Sequence, residues 1–246
     1  MALIHSFEKS GNALFKYRGQ IPVVVFILAI PSVYFTDYTF LSDLLVKILT
    51  AFAILISFSG FIIRCFAIGT TPKGTSGRNR NEQVAESLND TGIYSMVRHP
   101  LYLGNYLMWA GILVFSFNLY FFILVSLFFW LYYERIMFAE ERFLEKKFGN
   151  KYLDWSLKVP AFIPSYTHYK RNDIPFSFKS VLRREYSGLL ATTVCFAYID
   201  LLRLYFTYQR IEWNRISIYF VAISLILTIV LRTLKHQKLL DEDGRS

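Results

Sequence analysis

Long apolar runs are the feature of this sequence that most restricts its fold. Six of them lie at about residues 21–35, 44–69, 101–115, 119–138, 186–205 and 216–234. In a bilayer only helices and closed barrels satisfy every backbone hydrogen bond, and continuous rather than alternating apolar residues favour helices. Because 54% of the chain is hydrophobic and its mean hydropathy is +0.35, the sequence predicts an all-α, polytopic membrane protein with about six transmembrane helices.

The charged residues predict the orientation of these helices. The net charge is +9, and basic residues concentrate in segments 70–91 and 166–186, which follow the second and fourth runs. With both segments and both termini on the cytoplasmic side, the arrangement fits the positive-inside rule. Arg203, Arg210 and Arg215 in the fifth connection are exceptions, which leaves the placement of the last two spans open. The basic residues form no single tract, and this argues against nucleic-acid binding.

Two cysteines, Cys65 and Cys195, lie in separate apolar runs. Their separation argues against a disulfide framework or a zinc site, so we predict two small buried side chains and no metal centre. The first apolar run lacks a small-residue cleavage site, and we interpret it as a retained span. The sequence shows no internal repeat, and residues 1–246 are predicted to form a single integral membrane domain.

The stretch Gly92–Gly104 sets polar, aromatic and cationic residues between two apolar runs. Pro100 suits the first turn of a helix, because its missing N–H would be unpaired there, and it biases His99 away from helical geometry. Arg98 and His99 are therefore predicted to lie at the N-terminus of the third span. Free N–H groups and the helix dipole attract anions to such a position.

The fourth span is predicted to continue into the cytoplasm as one long helix that ends near Gly149. A tight Ser-Phe-Asn connection should make the third and fourth spans an antiparallel hairpin. Arg98 and His99 would then meet Glu140 and Glu141 at one membrane face. Taken singly, each residue is explained about as well by a helix-surface ion pair, a headgroup anchor or a capping hydrogen bond.

Other polar residues receive structural interpretations. Arg64 is expected to reach toward the lipid headgroups, Glu145 to pair with a basic residue one turn away, and Asp200 to pair with Arg203. Residues 83–88 could form a short helix. Common catalytic motifs are absent: there is no Gly-x-Ser-x-Gly, no His-Glu-x-x-His and no phosphate-binding glycine loop followed by Lys and Ser or Thr.

Two motifs flank the predicted hairpin. They consist of Gly92-Ile-Tyr94, Arg98-His99-Pro100, Tyr102 and Gly104, and then of Glu140-Glu141, Leu144, Phe148-Gly149, Tyr152 and Val159-Pro160. Together they resemble the isoprenylcysteine carboxyl methyltransferase family of integral membrane methyltransferases, over roughly residues 60–165. The resemblance implies a pocket for S-adenosylmethionine that faces the cytoplasm, with a lipid substrate reaching it from the bilayer. Residues 166–246 would add a basic segment and two spans to this methyltransferase core.

The resemblance also implies which residues hold the cofactor. Carried over by position, they are Gln83, Leu88, Asn89, Tyr94, His99, Pro100, Leu101, Tyr102 and Glu140. The chemistry of these residues agrees with that assignment. A carboxylate suits the ammonium or the ribose hydroxyls of the cofactor, the helix N-terminus with His99 suits its carboxylate, and an aromatic ring suits the adenine or the sulfonium.

One position departs from that family. Its members carry an arginine four residues before the first of the paired glutamates, where it meets the substrate carboxylate, and this chain has Ile136 there with Arg135 beside it. The loop around residues 75–85 and the added region 166–246 are more similar to a bacterial branch that methylates lipid A phosphate. The resemblance therefore favours lipid A 1-phosphate as the acceptor, in a bacterial inner membrane, with a cytoplasmic active site.

The resemblance thus implies an S-adenosylmethionine-dependent O-methyltransferase for an anionic lipid headgroup. A phosphate oxygen is already ionised at neutral pH, so alignment and exclusion of water suffice without a general base. Arginine binds phosphate bidentately, which makes Arg98, Arg135 and Arg142 the catalytic candidates and Arg183 and Arg184 the headgroup-binding candidates. The alternatives are a protein-S-isoprenylcysteine carboxyl methyltransferase and, from another class, a non-catalytic lipid-binding membrane protein. The sequence does not indicate the oligomeric state.

Overall fold

A computed structural model describes residues 2–39, 41–75, 85–172 and 174–245, without the side chains of residues 21 and 22. Eight α-helices lie within these ranges: α1 (Ala2–Tyr17), α2 (Ile21–Tyr34), α3 (Asp43–Gly69), α4 (Pro100–Phe115), α5 (Leu119–Phe148), α6 (Asn150–Ser156), α7 (Phe178–Tyr208) and α8 (Ile216–His236). A short 3₁₀ helix, Gly92–Ser95, precedes α4. The described residues contain no β-strand, only an isolated bridge between Pro72 and Arg245. The prediction of an all-α fold is confirmed.

Four of the described helices, α3, α5, α7 and α8, are long and apolar enough to cross a membrane. Their apolar side chains point mostly outward, and only 11% of the most apolar window of α8 is buried inside the protein. Monomeric soluble proteins rarely expose apolar surface on this scale. α2, with 14 residues, and α4, with 16 residues, are apolar but shorter than the roughly 20 residues of a typical span. The six-span topology therefore stays a prediction.

The ends of the helices follow local sequence signals. α4 begins at Pro100, and His99 before it has a non-helical conformation with a φ of −119°. Asn118 caps α5 by accepting a hydrogen bond from a backbone N–H of the first turn at 2.8 Å. Gly149 ends α5 with a positive φ of 53°, a conformation that favours glycine. The prediction of one long helix that ends at Gly149 is confirmed.

α3 and α4 pack so closely that their backbones nearly touch. A Cβ atom added at Gly104 would lie 2.7 Å from the carbonyl oxygen of Gly60, so a side chain at this position would push the helices apart. The Ser57 hydroxyl donates to the carbonyl oxygen of Met108 at 2.8 Å across the same contact. Small residues permit such an approach between membrane helices. α4 is thereby fixed on α3 as well as on its hairpin partner α5.

α1 lies against α5, and the α7–α8 hairpin completes the bundle. The rings of Phe7 and Phe138 pack edge to face with their centroids 5.7 Å apart, which joins α1 to α5. The hydroxyls of Thr193 and Ser224 lie 2.7 Å apart and join α7 to α8. As a result, parts of α1, α3, α4, α5 and α7 meet at one end of the bundle, around the cavity described below.

Asp200 does not pair with Arg203, contrary to the prediction. Its carboxylate accepts two hydrogen bonds from Arg215 at 2.7 and 2.8 Å and a third from the Ser217 hydroxyl at 2.7 Å. Arg203 instead places its guanidinium 4.2 Å from the centroid of the Phe117 ring. The turn before α8 brings Arg215 to Asp200 in the bidentate geometry that arginine and carboxylate prefer, and this displaces the helical neighbour as a partner.

The short helix predicted for residues 83–88 is wrong where the structure describes it. Residues 85–88 form bends and no helix, and residues 83 and 84 lie outside the described ranges. The N–H of Glu86 instead donates to the carbonyl oxygen of Gly74 at 2.9 Å, and Gly74 adopts a positive φ of 75°. The hydrogen bond joins the chain before residue 76 to the chain after residue 84, and both pieces reach the cavity wall.

Candidate functional site

A cavity of about 540 Å³ opens at the end of the bundle where α1, α3, α4, α5 and α7 meet residues 85–89. This volume lies in the range of sites for small ligands and cofactors. The cavity wall includes eight of the residues assigned to the cofactor from the sequence: Leu88, Asn89, Tyr94, His99, Pro100, Leu101, Tyr102 and Glu140. Gln83, the ninth, lies outside the described part of the chain. The fold therefore brings the described members of that set to one place.

His99 connects the start of α4 to the paired glutamates of α5. Its Nε2 atom lies 2.9 Å from Glu141 Oε1, and its Nδ1 atom lies 3.7 Å from Glu140 Oε2. The side chain of His99 is 6% exposed, whereas both glutamate side chains are 26% exposed. Because His99 precedes Pro100, its backbone is not helical. The imidazole is thus held between two carboxylates at the cavity wall, as the hairpin prediction required.

Arg98 ties three segments together. Its Nε atom donates to Glu141 Oε1 at 2.8 Å, and its Nη1 atom donates to the carbonyl oxygens of Ser156 and Val159 at 2.6 and 2.8 Å. The backbone N–H of Arg98 also donates to the carbonyl oxygen of Pro160 at 2.9 Å. These bonds fasten the start of α4 to α5 and to the chain that follows α6. Arg98 lines the cavity, but its observed contacts position protein segments.

Tyrosine hydroxyls add neutral donors to the site. The Tyr102 hydroxyl donates to Glu140 Oε1 at 2.6 Å, which orients that carboxylate. Tyr94 lines the same cavity, and burial raises the pKa of its hydroxyl. Burial, followed by the negative charge of Glu141, likewise raises the pKa of the Tyr152 hydroxyl. The phenols of Tyr94 and Tyr152 therefore remain protonated at neutral pH and can donate hydrogen bonds.

The donor set of this cavity fits S-adenosylmethionine, the cofactor that the family resemblance implies. Carboxylates at Glu140 and Glu141 match an ammonium group and ribose hydroxyls. The first turn of α4, which follows His99, matches a carboxylate. The rings of Tyr94 and Trp155 offer faces for an adenine or a sulfonium. These groups surround one volume, so the residues present are compatible with the cofactor.

Two predicted catalytic arginines on α5 do not line this cavity. Arg135 places its guanidinium carbon 3.3 Å from the centroid of the Phe7 ring on α1. Arg142 pairs with Glu145 at 2.5 Å, which confirms the ion pair predicted for Glu145. With 3.6 residues per turn, Arg142 lies about 200° around the helix axis from Glu140. α5 therefore turns Glu140 and Glu141 toward the cavity and these arginines toward α1 or the surface.

The neighbouring arginines at the start of α7 differ in the same way. Arg184 lines the cavity. Arg183 donates to Asp241 at 3.0 Å instead, with its side chain 12% exposed. Successive residues of an α-helix point about 100° apart, and this step turns Arg183 away from the cavity toward Asp241. Of this pair, only Arg184 stays a candidate for the headgroup.

Sequence reasoning missed a polar cluster in the cavity wall formed by Arg64, Asn105 and Glu185. Arg64 donates from Nε and Nη2 to the Glu185 carboxylate at 2.8 and 2.6 Å, and from Nη1 to Asn105 Oδ1 at 2.6 Å. Arg64 thus turns into the bundle and does not reach outward to the headgroups as expected. A charge inside an apolar run is a signal of function. Its partner, however, is 121 residues away in the sequence.

Part of the chain is similar to known membrane methyltransferases. Residues 45–151 match the family described as phospholipid methyltransferase, which is less than half of the chain. A segment of 73 residues is 36% identical to the protein-S-isoprenylcysteine O-methyltransferase of Schizosaccharomyces pombe. That segment is 30% of this chain and spans 31% of the length of the fission yeast protein. No solved structure matches the chain significantly.

The family match covers the cavity residues that meet around His99. His99, Tyr102, Glu140 and Glu141 all lie between residues 45 and 151. The comparisons therefore support a membrane methyltransferase region, in agreement with the resemblance noted in the sequence. Neither match names lipid A or a phosphate acceptor. Arg184 and Glu185, which also line the cavity, lie outside the matched residues.

Proposed function

We propose that this protein is an S-adenosylmethionine-dependent methyltransferase that acts on an anionic oxygen of a membrane lipid headgroup. The first candidate for the acceptor is lipid A 1-phosphate. One observation carries the proposal: His99, Tyr102, Glu140 and Glu141 converge on a single cavity of about 540 Å³. They belong to a region that matches membrane methyltransferases. Four helices that are long and apolar enough to span a bilayer support a lipid environment for that cavity.

The residues of this chain would bind and orient the cofactor. When bound, S-adenosylmethionine supplies an electrophilic methyl group on a sulfonium. Glu140, held by the Tyr102 hydroxyl, would accept hydrogen bonds from the ammonium or the ribose. The first turn of α4 and His99 would meet the cofactor carboxylate. Trp155, whose Nε1 donates to the carbonyl oxygen of Tyr94 at 3.2 Å, would help to exclude water from the reacting atoms.

The charges of the cavity wall favour an anionic acceptor. The wall contains four arginines, Arg18, Arg64, Arg98 and Arg184, and three glutamates, Glu140, Glu141 and Glu185. The wall thus carries a small excess of positive charge, and a cofactor with a net positive charge would add to it. A phosphate oxygen is already ionised at neutral pH, so transfer requires alignment with the methyl group and no general base. A lipid phosphate is negatively charged, and its oxygen is ionised without the help of a base.

A prenylcysteine carboxylate is the second candidate acceptor. It also carries an ionised oxygen, and the similar fission yeast protein is named for that activity. The position where that family has its substrate-binding arginine is Ile136 in this chain, and Ile136 is fully buried. The neighbouring Arg135 stacks on Phe7 and does not line the cavity. This difference is the reason for placing the phosphate first.

We further propose that the protein lies in a bacterial inner membrane as one domain, with both termini and the cavity on the cytoplasmic side. Basic residues on the segments after α3 and after α6 support this orientation. A water-soluble cofactor made in the cytoplasm also requires a cavity open to that side. Protease accessibility in sealed inverted vesicles tests it: residues 166–176 should be cleaved from the outside of such vesicles and protected in intact spheroplasts.

The proposed function is tested by binding and by transfer. The purified protein in detergent micelles is titrated calorimetrically with S-adenosylmethionine, and saturable binding is expected. It is then incubated with methyl-labelled cofactor and either lipid A or an S-prenylcysteine, followed by extraction and mass measurement. A gain of one methyl group on lipid A supports the first candidate, and a gain on the prenylcysteine supports the second. Failure to bind the cofactor would favour the non-catalytic lipid-binding alternative.

A further inference from the structure

The Arg64 cluster lines the same cavity but shares no residue with the cofactor assignment. It consists of Arg64 on α3, Asn105 on α4 and Glu185 on α7, all of which line the cavity. The side chain of Glu185 is 3% exposed and that of Arg64 is 18% exposed. A cation that is mostly buried, yet faces an open volume of this size, is placed to meet an anion there.

We propose that Arg64 binds the anionic oxygens of the acceptor headgroup, and that Glu185 and Asn105 hold its guanidinium in position. The role of acceptor site rests on the proposed methyl transfer; binding of an anionic headgroup does not. His99 and Glu140 serve the cofactor side of the cavity in this arrangement. Arg64 serves the lipid side.

The guanidinium of Arg64 retains donors for such a ligand. Arginine has five N–H groups, and three of them account for the bonds to Glu185 and Asn105. Among the described residues, no hydrogen bond uses the remaining two, one on each Nη atom. Both Nη atoms can thus donate to a headgroup oxygen while the existing bonds stay in place. Two N–H groups on neighbouring nitrogens are the fork that a phosphate or a carboxylate accepts.

The packing of α3 on α4 provides the space that Arg64 needs to enter the cavity wall. A Cβ atom built at Gly104 would lie 2.5 Å from Cγ of Arg64. A side chain at position 104 would therefore block the path of the arginine. Gly104 thus does more than let the two backbones approach, because it also admits the aliphatic part of Arg64. The sequence motif that ends at Gly104 accordingly contributes to the acceptor side of the cavity.

A contribution to stability does not by itself explain why Arg64 and Glu185 are paired inside the bundle. A buried pair of charges loses most of its attraction to the cost of leaving water, and apolar side chains of similar size often stabilise a fold as well. Glu185 lies on α7, beyond the region that matches other membrane methyltransferases. Its carboxylate gives the guanidinium a fixed orientation, as a positioning residue would. The acceptor side of the cavity is therefore built partly by the added helices of this chain.

The test removes both charges together. The double variant Arg64→Gln with Glu185→Gln leaves no buried charge unpaired, which keeps it folded more readily than either single change. Its matched control is Asp200→Asn with Arg215→Gln, which removes the other bidentate ion pair of α7. The probe is a fluorescent phosphatidic acid in neutral detergent micelles, titrated with each protein. Melting temperature and S-adenosylmethionine affinity are measured on the same samples.

Arg64→Gln with Glu185→Gln is expected to bind phosphatidic acid about 10-fold more weakly or worse, because a charge-assisted pair of hydrogen bonds is lost. Its cofactor affinity should stay within about twofold of that of the unaltered protein. The control should bind both ligands normally. Arg64→Lys keeps the charge but not the forked pair of N–H donors. Its affinity for phosphatidic acid should lie between that of the unaltered protein and that of the double variant.

Unchanged phosphatidic acid binding in the double variant would overturn the proposal, and so would absence of binding in the unaltered protein. A parallel loss of cofactor affinity would assign Arg64 to the cofactor side and overturn it as well. Failure of the proposed function has a different signature, since the unaltered protein would then bind phosphatidic acid through Arg64 but would not bind S-adenosylmethionine. The binding measurements thus decide on Arg64 even if no methyl transfer is detected.

Discussion

α7 carries a buried acid near each of its ends, and the two acids have the same partner chemistry in different surroundings. Glu185 accepts two bonds from Arg64 at 2.8 and 2.6 Å, and Asp200 accepts two from Arg215 at 2.7 and 2.8 Å. Glu185 and Arg64 line the large cavity, whereas Asp200 and Arg215 do not. At the second pair the Ser217 hydroxyl also donates to the acid.

The comparison shows that an ion pair cannot be assigned a role from its own geometry. Both pairs are bidentate, although Arg64 and Glu185 are 121 residues apart in the chain and Asp200 and Arg215 only 15. What differs is the volume that each arginine faces. At Arg64 that volume is a cavity with other charged and aromatic residues in its wall. At Arg215 the neighbouring acid is Glu212, at 3.8 Å. We expect the first pair to affect ligand binding and the second to affect stability.

The largest expected effect comes from Glu140, on the cavity side of this comparison. Glu140→Ala removes the carboxylate that Tyr102 orients and that we assign to the cofactor. Loss of a charge-assisted hydrogen bond at a partly buried site costs about 2–3 kcal/mol, so the affinity for S-adenosylmethionine should fall about 30- to 150-fold. Calorimetric titration in detergent micelles measures it. Asp200→Ala serves as the control, and an equal loss in both proteins would point to general unfolding.

A second prediction distinguishes Arg98 from Arg64, since both arginines line the cavity. The observed bonds of Arg98 go to Glu141 and to the carbonyl oxygens of Ser156 and Val159. Arg98→Gln should therefore lower the free energy of unfolding by about 2 kcal/mol, since buried acceptors lose their donor. Thermal melting followed by circular dichroism measures it. Melting that is unchanged, combined with weaker lipid binding, would instead make Arg98 a ligand-binding residue.

Asp200 tests the end of α7 that is distant from the cavity. Asp200→Asn keeps the shape of the side chain but removes its charge, and Arg215 would lose its bidentate partner. Because the side chain of Arg215 is 32% exposed, water compensates in part, and we expect a loss of about 1–2 kcal/mol of stability. Cofactor affinity and methyl transfer at saturating substrates should not change. A selective loss of transfer without a change in melting would contradict the comparison.

The smallest effect is expected at Arg142. Its side chain is 33% exposed and pairs with Glu145 one turn away on α5, and exposed pairs of this kind contribute about 0.3–0.5 kcal/mol. Arg142→Gln should therefore leave both melting temperature and methyl transfer nearly unchanged. Initial rates with labelled cofactor measure the second quantity. A large loss of transfer would restore Arg142 to the catalytic role that the sequence suggested.

Local signals in the sequence predicted the helices and one side of the cavity. Pro100 and Gly149 marked helix ends because proline and glycine act through the backbone of one or two residues. The contact between His99 and the glutamates followed from a short connection between two helices. That contact depends only on the tight turn between α4 and α5 and on the length of α5. Such features depend little on the rest of the molecule.

The other side of the cavity depends on how distant helices rotate against one another. No local signal shows that α5 turns Arg135 toward α1, or that Arg64 meets Glu185 across the bundle. A rotation of one residue, about 100°, decides whether Arg183 or Arg184 faces the cavity. Asp200 had a plausible partner on its own helix, yet the turn before α8 supplied a better one. These contacts are determined by tertiary packing.

The pairing of Asp200 with Arg215 also bears on how the chain enters a membrane. A lone charged side chain costs about 3 kcal/mol at the centre of a span. When α7 and α8 form their hairpin, the acid of one segment and the base that precedes the other are brought together. The charges of Asp200 and Arg215 then compensate each other while the two helices cross the hydrocarbon. We therefore expect α7 and α8 to leave the insertion machinery together, and an α7 separated from α8 to insert poorly.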